Sequence, residues 1–311
     1  MPHVPLEQAD TVAQWRAAAR SLLRDAGFEN PNLEADYLLR HVLDYNTTQI
    51  LTQGEHPLSP GNRSLLASLV QKRLNHVPLQ HLTGEVEFRG LRLSVSPSVL
   101  IPRPETEGLV DHVLKFLDPS QESKVLDIGT GSGCIALAVA QESPQTQIWA
   151  SDVSQDALNV ASANADQCAL SDRVRFKKAD TILPLLKRKV VPAGSVDVIV
   201  SNPPYIGYQE KDALPVEVKD HEPGLALFAN DEGLEMIRSL IHEAPYALRK
   251  GGFLAMEIGE TQGERVLQLL QQASNASWSR PRIENDLAGR PRYALAILSS
   301  DPIPFDVGKE E

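Results

Sequence analysis

The 311-residue sequence predicts an α/β fold: an open, mostly parallel sheet with helices on both faces, preceded by a small helical-bundle domain and joined to it by a β-hairpin linker. Three observations lead there. Apolar residues recur at helical spacing up to residue 82, and one stretch after Pro78 alternates apolar and polar residues. Beyond that, short Val/Ile-rich runs alternate with helical segments, the pattern of a parallel sheet covered on both sides.

In chain order, Trp15, Ala18, Ala19, Leu22 and Leu23 form a helical stripe that stops at Gly27. Asn30-Pro31 opens a second helix with Leu33, Tyr37, Leu38, Val42 and Leu43. Thr47 caps a short third helix, and Pro60 begins a fourth carrying Leu65, Leu66, Leu69, Val70 and Leu74. Residues 1–82 are thus a helical bundle with short connections. In EVEFRGLRLSVS, Val86, Phe88, Leu91, Leu93 and Val95 flank Arg89-Gly90, which makes residues 83–98 a hairpin linker. Residues 99–300 form the large domain, with strands in KVLDIG, QIWASD, RVRFKKAD, VDVIVS, GGFLAMEIG and YALAIL. A last helix runs from Thr261 to Gln272, and the final strand enters antiparallel at the sheet edge. The Pro- and acid-rich tail, 301–311, is expected to be poorly ordered.

Composition narrows the function. Two cysteines, Cys134 and Cys168, are too few for a disulfide framework or a zinc site, and no metal is expected. No apolar run approaches the length of a membrane span, and MPHVPLEQAD lacks the basic and apolar regions of a secretory signal. A monomer in the cytoplasm, away from membranes, is the expectation. Residues 1–82 hold 7 basic and 8 acidic side chains, so nearly all of the net charge of −11 lies beyond them. Long nucleic acid calls for a positive surface. The balance favours a protein or small-molecule substrate over a stable nucleic-acid partner.

Two motifs carry the chemistry. In VLDIGTGSGCIALAVA a strand runs into Gly129, Thr130, Gly131, Ser132 and Gly133, and a helix follows. Glycines let a backbone turn sharply and approach a ligand, while the helix presents free N–H groups. Dinucleotide-binding folds use the same device. The GTGSG spacing and Asp127 on the preceding strand instead suit a ligand with a cationic amino group or sulfonium. Asp152 ends the second strand roughly 20 residues on, where an acid accepts ribose hydroxyls. Asp180 ends the third and is placed to meet the adenine amino group. Each lone Asp also reads as a helix cap. Three at successive strand ends read together as a ligand site.

The fourth strand runs into Asn202-Pro203-Pro204-Tyr205. Two prolines fix φ and donate no N–H, so this corner is rigid. An amide nitrogen is a poor nucleophile because its lone pair is delocalised. If Asn202 Oδ1 and the Pro203 carbonyl each accept one hydrogen of a target NH₂, the lone pair is left facing the methyl donor. Tyr205 is expected to pack on the flat target group.

These segments resemble the HemK/PrmC family of protein-(glutamine-N5) methyltransferases over nearly the whole chain. PLQHLTGEVEFRGLRLSVSPSVLIPRPETEGLV is similar to the family's linker, VLDIGTGSG and SNPPYI to its cofactor and catalytic motifs, and EVKDHEPGLALFANDEGLEMIR and NDLAGRPR to its later blocks. The resemblance implies a Rossmann-like class I methyltransferase sheet, S-adenosylmethionine as cofactor, and peptide chain release factors, methylated on the glutamine of their Gly-Gly-Gln loop, as substrates. It assigns Asn202, Pro203, Pro204 and Tyr205 to the glutamine, and Gly129 to Gly133, Asp152 and Asp180 to the cofactor. Arg103, Glu105 and Thr106 would line the same cleft; the other reading of these three is a helix N-terminus at Pro104. Thr181 stands where relatives place an aromatic residue for the adenine. Asn-Pro-Pro-Tyr also occurs in adenine-N6 nucleic-acid methyltransferases, and LIPRPETE speaks against that alternative. A ribosomal-protein glutamine methyltransferase differs only in partner, and a binding-only protein is opposed by the intact Asn202 and Gly131.

Overall fold

The computed structural model describes residues 5–305, which divide into two compact units: residues up to 84 together with 215–221, and 85–214 together with 222 onward.

Up to residue 84 the first unit holds the α-helices α1 (Val12–Asp25), α2 (Pro31–Leu43), α3 (Thr47–Thr52), α4 (Pro60–Leu74) and α5 (Leu79–Thr83). Their apolar stripes meet in a core of Trp15, Ala19, Leu38, Leu39, Ile50, Leu66 and Val70. The cap of α3 is Asn46, not Thr47: the Asn46 side chain accepts the Gln49 N–H while Gln49 reaches back to the Asn46 N–H, a reciprocal capping box. The short helix Val216–His221 also belongs here. Arg73, only 4% exposed, donates to Glu34 and to Glu217 at 2.7 Å, and the His221 ring nitrogen Nε2 lies 3.2 Å from the Asn75 carbonyl.

The second unit opens with the expected hairpin, β1 (Glu85–Phe88) and β2 (Leu91–Ser94), which turns on Arg89 and Gly90, both at positive φ. Helix α6 (Pro104–Phe116) precedes β3 (Ser123–Ile128), and α7 (Cys134–Glu142), β4 (Thr146–Asp152), α8 (Gln155–Gln167), β5 (Val174–Lys178) and β6 (Val196–Ser201) follow. Two-residue strands β7 (Ile206–Gly207) and β8 (Phe228–Ala229) pair with each other. The main sheet is completed by β9 (Leu248–Glu257), β10 (Trp278–Asn285) and β11 (Pro291–Leu298).

The seven-stranded order is β10-β11-β9-β6-β3-β4-β5, parallel from β9 to β5. The two-residue period of a strand splits its side chains between two cores. Val125, Val198, Phe253 and Leu295 meet α6 and α7 on one face; Leu126, Ile199, Leu254 and Ala294 meet Leu234, Ile237 and Leu240 on the other. The last strand is antiparallel, as expected, but it is not the edge. It lies between β9 and β10, and β10 takes the edge. Residues 301–305, expected to be poorly ordered, pack on this unit: the Ile303 N–H donates to the Pro245 carbonyl and Phe305 meets Tyr246 edge-on. The rest of the expected tail lies outside the described residues.

The chain leaves β3 toward β4 and β5, then returns to place β6 on the other side of β3. Such a reversal opens a crevice at the carboxyl ends of the strands, where open α/β sheets bind ligands. Both sequence motifs end there.

Candidate active site

Gly129, Gly131 and Gly133 all have positive φ (73°, 56° and 84°), a conformation side chains other than glycine rarely adopt. Space is open beyond the point where Gly131 would carry a Cβ, so the turn presents bare backbone. Gly133 instead packs inward, its missing side chain filled by Ala161 and Leu137. The turn is pinned from both ends. The Gly129 and Thr130 N–H groups donate to the Ser151 carbonyl, and the Gly131 N–H donates to Asp152 Oδ2 at 2.9 Å. Asn164, fully buried on α8, donates to the Ser132 and Ser94 carbonyls.

A cleft of about 450 Å³ opens over this turn. Of the expected site residues, Gly129, Thr130, Gly131, Ser132, Asp152, Asp180, Thr181, Asn202, Pro204, Arg103 and Thr106 line it. Asp127 does not. It is fully buried beneath the turn, where its Oδ2 accepts the Thr130 hydroxyl at 2.6 Å. Burial pushes its carboxyl up to about 7. Through the bond to Thr130 it supports the glycine turn from beneath.

Besides the inward-packed Gly133, three other expected residues are also displaced from the cleft wall. The Glu105 carbonyl accepts the Tyr293 hydroxyl at 2.6 Å. Pro203 is buried. Tyr205 packs against the apolar core on the far face of the sheet, and its hydroxyl donates to Glu257 Oε1 at 3.3 Å. Burial pushes its phenol up, so it stays neutral. Its ring is a support for the corner rather than a wall of the cleft. Arg103 stands at the N-cap position of α6 without capping it; instead it donates to Glu222 at 2.5 Å.

Glu257, at the end of β9, is a buried carboxylate, at 1% exposure. Its Oε2 accepts the Thr106 hydroxyl at 2.7 Å, and Asn202 Nδ2 donates to Thr106 Oγ1 at 3.2 Å. Burial raises its pKa, opposed by the hydrogen bonds from Thr106 and Tyr205 and the charge of Arg292. Cys134 also lines the cleft, but burial pushes its thiol up to about 12, which removes it as a nucleophile. Among the described residues no cluster of His, Cys, Asp and Glu is placed to hold a metal ion.

Sequence reading missed Val99, Val153, Met236 and the rim formed by Tyr208 and Phe228, whose rings stack 5.4 Å apart. Val153 stands next to Asp152, and Val99, Phe228 and Met236 lie in segments that carry the family resemblance, but none has a side chain whose chemistry marks it. The acceptors Asp152 and Asp180, the hydroxyls of Thr130, Ser132 and Thr181, and apolar Val99, Ile135, Val153 and Met236 make a donor set and volume suited to a nucleoside with a polar tail.

Residues 14–84 match the family model of the PrmC N-terminal domain, and residues 108–217 that of the methyltransferase small domain. Over 286 residues the chain is 38% identical to the release factor glutamine methyltransferase of Moorella thermoacetica, covering 92% of this chain and 98% of that protein. The chain belongs to the release factor glutamine methyltransferase family. The relative of the same name from Gloeobacter violaceus is 40% identical over 263 residues, 84% of this chain and 89% of that protein. Among solved structures, the hMettl16 catalytic domain in complex with MAT2A 3′UTR hairpin 1 shares the fold, with a TM-score of 0.51 and 19% identity over 78% of this chain and 84% of that one.

As a member of this family the chain is an S-adenosylmethionine-dependent methyltransferase with a class I methyltransferase sheet, and the cleft residues fit that cofactor. No helix among the described residues is long and apolar enough to cross a membrane.

Proposed function

We propose that this enzyme methylates the side-chain amide nitrogen of the glutamine in the Gly-Gly-Gln loop of peptide chain release factors, as a cytoplasmic monomer. The observation that carries the reading is the position of Asn202: at the carboxyl end of β6, in the same cleft as the glycine turn that follows the adjacent strand β3.

S-adenosylmethionine supplies an electrophilic methyl group on a sulfonium. The protein's own work is to bind and to aim. Gly129 to Ser132 offer backbone to the cofactor while Gly133 packs the turn on α8, Asp152 accepts its ribose hydroxyls, and Asp180 and Thr181 face its base. Asp127 holds Thr130 and so the shape of the turn. Asn202 Oδ1 and the Pro203 carbonyl each accept one hydrogen of the target NH₂, which leaves the nitrogen lone pair facing the cleft. Pro203 and Pro204 keep that corner stiff, and Tyr205 anchors it to Glu257. Thr106 steadies Asn202, while Arg103, held by Glu222, forms part of the wall on the substrate side. Positioning of this kind is worth effective molarities of about 10⁵ M or more. No strong general base is required, because the amide nitrogen becomes far more acidic as it gains the methyl.

The test is label transfer from S-adenosylmethionine to, separately, a release factor, ribosomal proteins, DNA and RNA. Label on the Gly-Gly-Gln glutamine of the release factor is expected. Label on nucleic acid or ribosomal protein, with none on the release factor, would overturn the proposal.

A further inference from the structure

We propose that Thr106 and Glu257 are positioning residues that fix which end of the Asn202 carboxamide faces the substrate. This rests on the reading of Asn202 as the residue that receives the target amide. Thr106 is 2% exposed and Glu257 1%, so neither contact is exchanged for bulk water. A threonine hydroxyl has one proton and two lone pairs. Thr106 spends its proton on Glu257 Oε2, 2.7 Å away. Toward Asn202, 3.2 Å away, it has only lone pairs to offer. The group of Asn202 that meets it must therefore be the NH₂, and Oδ1 is turned away.

The oxygen and nitrogen of a carboxamide are nearly alike in shape, and only their hydrogen-bond partners tell them apart. Turned over, Asn202 would present two N–H donors to a target that is itself an NH₂ group. Such a site would repel the nitrogen it must hold. The direction of donation is set at Glu257, which accepts from Thr106 on one oxygen and from the Tyr205 hydroxyl on the other. The same carboxylate thus aims Asn202 and ties down the aromatic end of the Asn-Pro-Pro-Tyr corner. Arg292 contributes a favourable charge, and its Nη1 is held by the Ile258 carbonyl at 3.1 Å. None of these three anchors, Thr106, Glu257 and Arg292, donates to or accepts from the substrate in this account.

Replacing Glu257 with Gln keeps the shape but supplies an NH₂ to one of the two hydroxyls. If that NH₂ meets Thr106, the hydroxyl becomes an acceptor there and a donor toward Asn202, which reverses the carboxamide. Thr106→Val removes the hydroxyl and keeps the volume. Thr106→Ser keeps the hydroxyl.

The experiment measures kcat and KM for a release factor, cofactor affinity and thermal midpoint in the full-length wild type, T106V, T106S and E257Q. Asn202 side-chain ¹⁵N–¹H resonances are recorded in parallel on the protein without substrate, assigned by their loss in Asn202→Ser. T106V should lower kcat about tenfold or more, the effect of about 1.4 kcal/mol on the barrier. KM and cofactor affinity should move less than about threefold, about 0.7 kcal/mol or less. T106S should recover most of kcat. One Asn202 NH₂ proton should be shifted and slow to exchange in wild type and T106S, and ordinary in T106V. In E257Q the two readouts should move together, toward the T106V values as the new NH₂ meets Thr106; kcat lost with the Asn202 signal unchanged would overturn the proposal, which keeps a second variant available if T106V folds poorly. Unchanged kcat in a folded T106V, a T106S as impaired as T106V, or an Asn202 NH₂ signal indifferent to all three substitutions would each overturn the proposal. The resonance measurement needs no methyl acceptor, so a wild type that fails to label release factors would sink the proposed function without touching this one.

Discussion

The Asp152 carboxylate accepts the Gly131 N–H through one oxygen, at 2.9 Å, and the Ser154 N–H through the other, also at 2.9 Å. One side chain therefore holds the middle of the glycine turn and the start of α8 while its remaining lone pairs face the cleft. Asp152→Ala removes the carboxylate proposed to accept the cofactor ribose hydroxyls and loosens Gly131. The cofactor dissociation constant should rise about tenfold or more, one such bond being worth roughly 1.5–3 kcal/mol. Titration calorimetry with S-adenosylhomocysteine measures it, and an unchanged affinity would remove Asp152 from the site.

Gly233 has a φ of +83°, and a Cβ there would overlap the Tyr205 carbonyl oxygen, which also accepts from Gln262 Nε2 at 2.9 Å. Gly233→Ala must push the Asn-Pro-Pro-Tyr corner although residue 233 does not line the cleft. Methyl transfer should fall at least about tenfold, since misplacement by about 1 Å can cost 10²-fold. Cofactor affinity should stay nearly constant. Equal losses in transfer and affinity would show that the disturbance spreads beyond the corner.

Asp127 carries a pH dependence whose sign is set by burial. Its folded-state pKa, about 7, lies above its ordinary value of 3.8, so the folded protein binds this proton more tightly than the unfolded chain does. The contribution to stability is complete below about pH 4, shrinks as pH rises toward 7, and is flat above. Asp127→Asn removes this titration. The thermal midpoint of wild type minus that of Asp127→Asn should therefore fall between pH 5 and pH 8. A rising difference would mean that the hydrogen bonds from Thr130 and the Ala136 backbone outweigh burial.

Arg73 holds the helical unit together through Glu34 on α2 and Glu217 on the segment that returns late in the chain, and its guanidinium lies over the Phe28 ring, 4.3 Å from its centre. Arg73→Met keeps much of the packing but leaves Glu34, whose side chain is 12% exposed, without its cation. A loss of about 3 kcal/mol in a denaturant titration followed by circular dichroism is expected, near the low end for breaking a buried pair. A loss under about 1 kcal/mol would place Arg73 among surface ion pairs.

What the sequence revealed depended on how local each signal was. The strands from β3 to β6 and the glycine turn were readable because apolar runs, their punctuation and the special conformations lie within a few residues of one another. The edge strand β10 was not. Its segment WSRPRIEN mixes Pro281 with charged side chains, and its pairing slips between Ser279 and Arg282, as suits an edge that is not buried on both faces. The α3 cap was misplaced by one residue because Asn46 and Thr47 are both good caps and only geometry separates them. In the site, the residues that touch the cleft were mostly found, whereas the pairings that hold them were not. Thr106 and Glu257 are 151 positions apart, and Arg73 and Glu217 are 144 apart. Asp127 and Tyr205 were read as facing the ligand because position along a strand does not reveal which oxygen or ring edge is already engaged. The Tyr208–Phe228 rim depends on β7 pairing with β8, two residues each, too short to show a period.

The central claim is that Asn202 Oδ1 and the Pro203 carbonyl receive the two hydrogens of a glutamine amide. A crystal structure of the protein with S-adenosylhomocysteine and a Gly-Gly-Gln peptide tests it most directly. The account predicts the glutamine Nε2 at about 3 Å from both oxygens, ordinary for an N–H···O bond. A glutamine whose nitrogen points elsewhere, or an Asn202 that offers its NH₂ to the glutamine carbonyl, would contradict it.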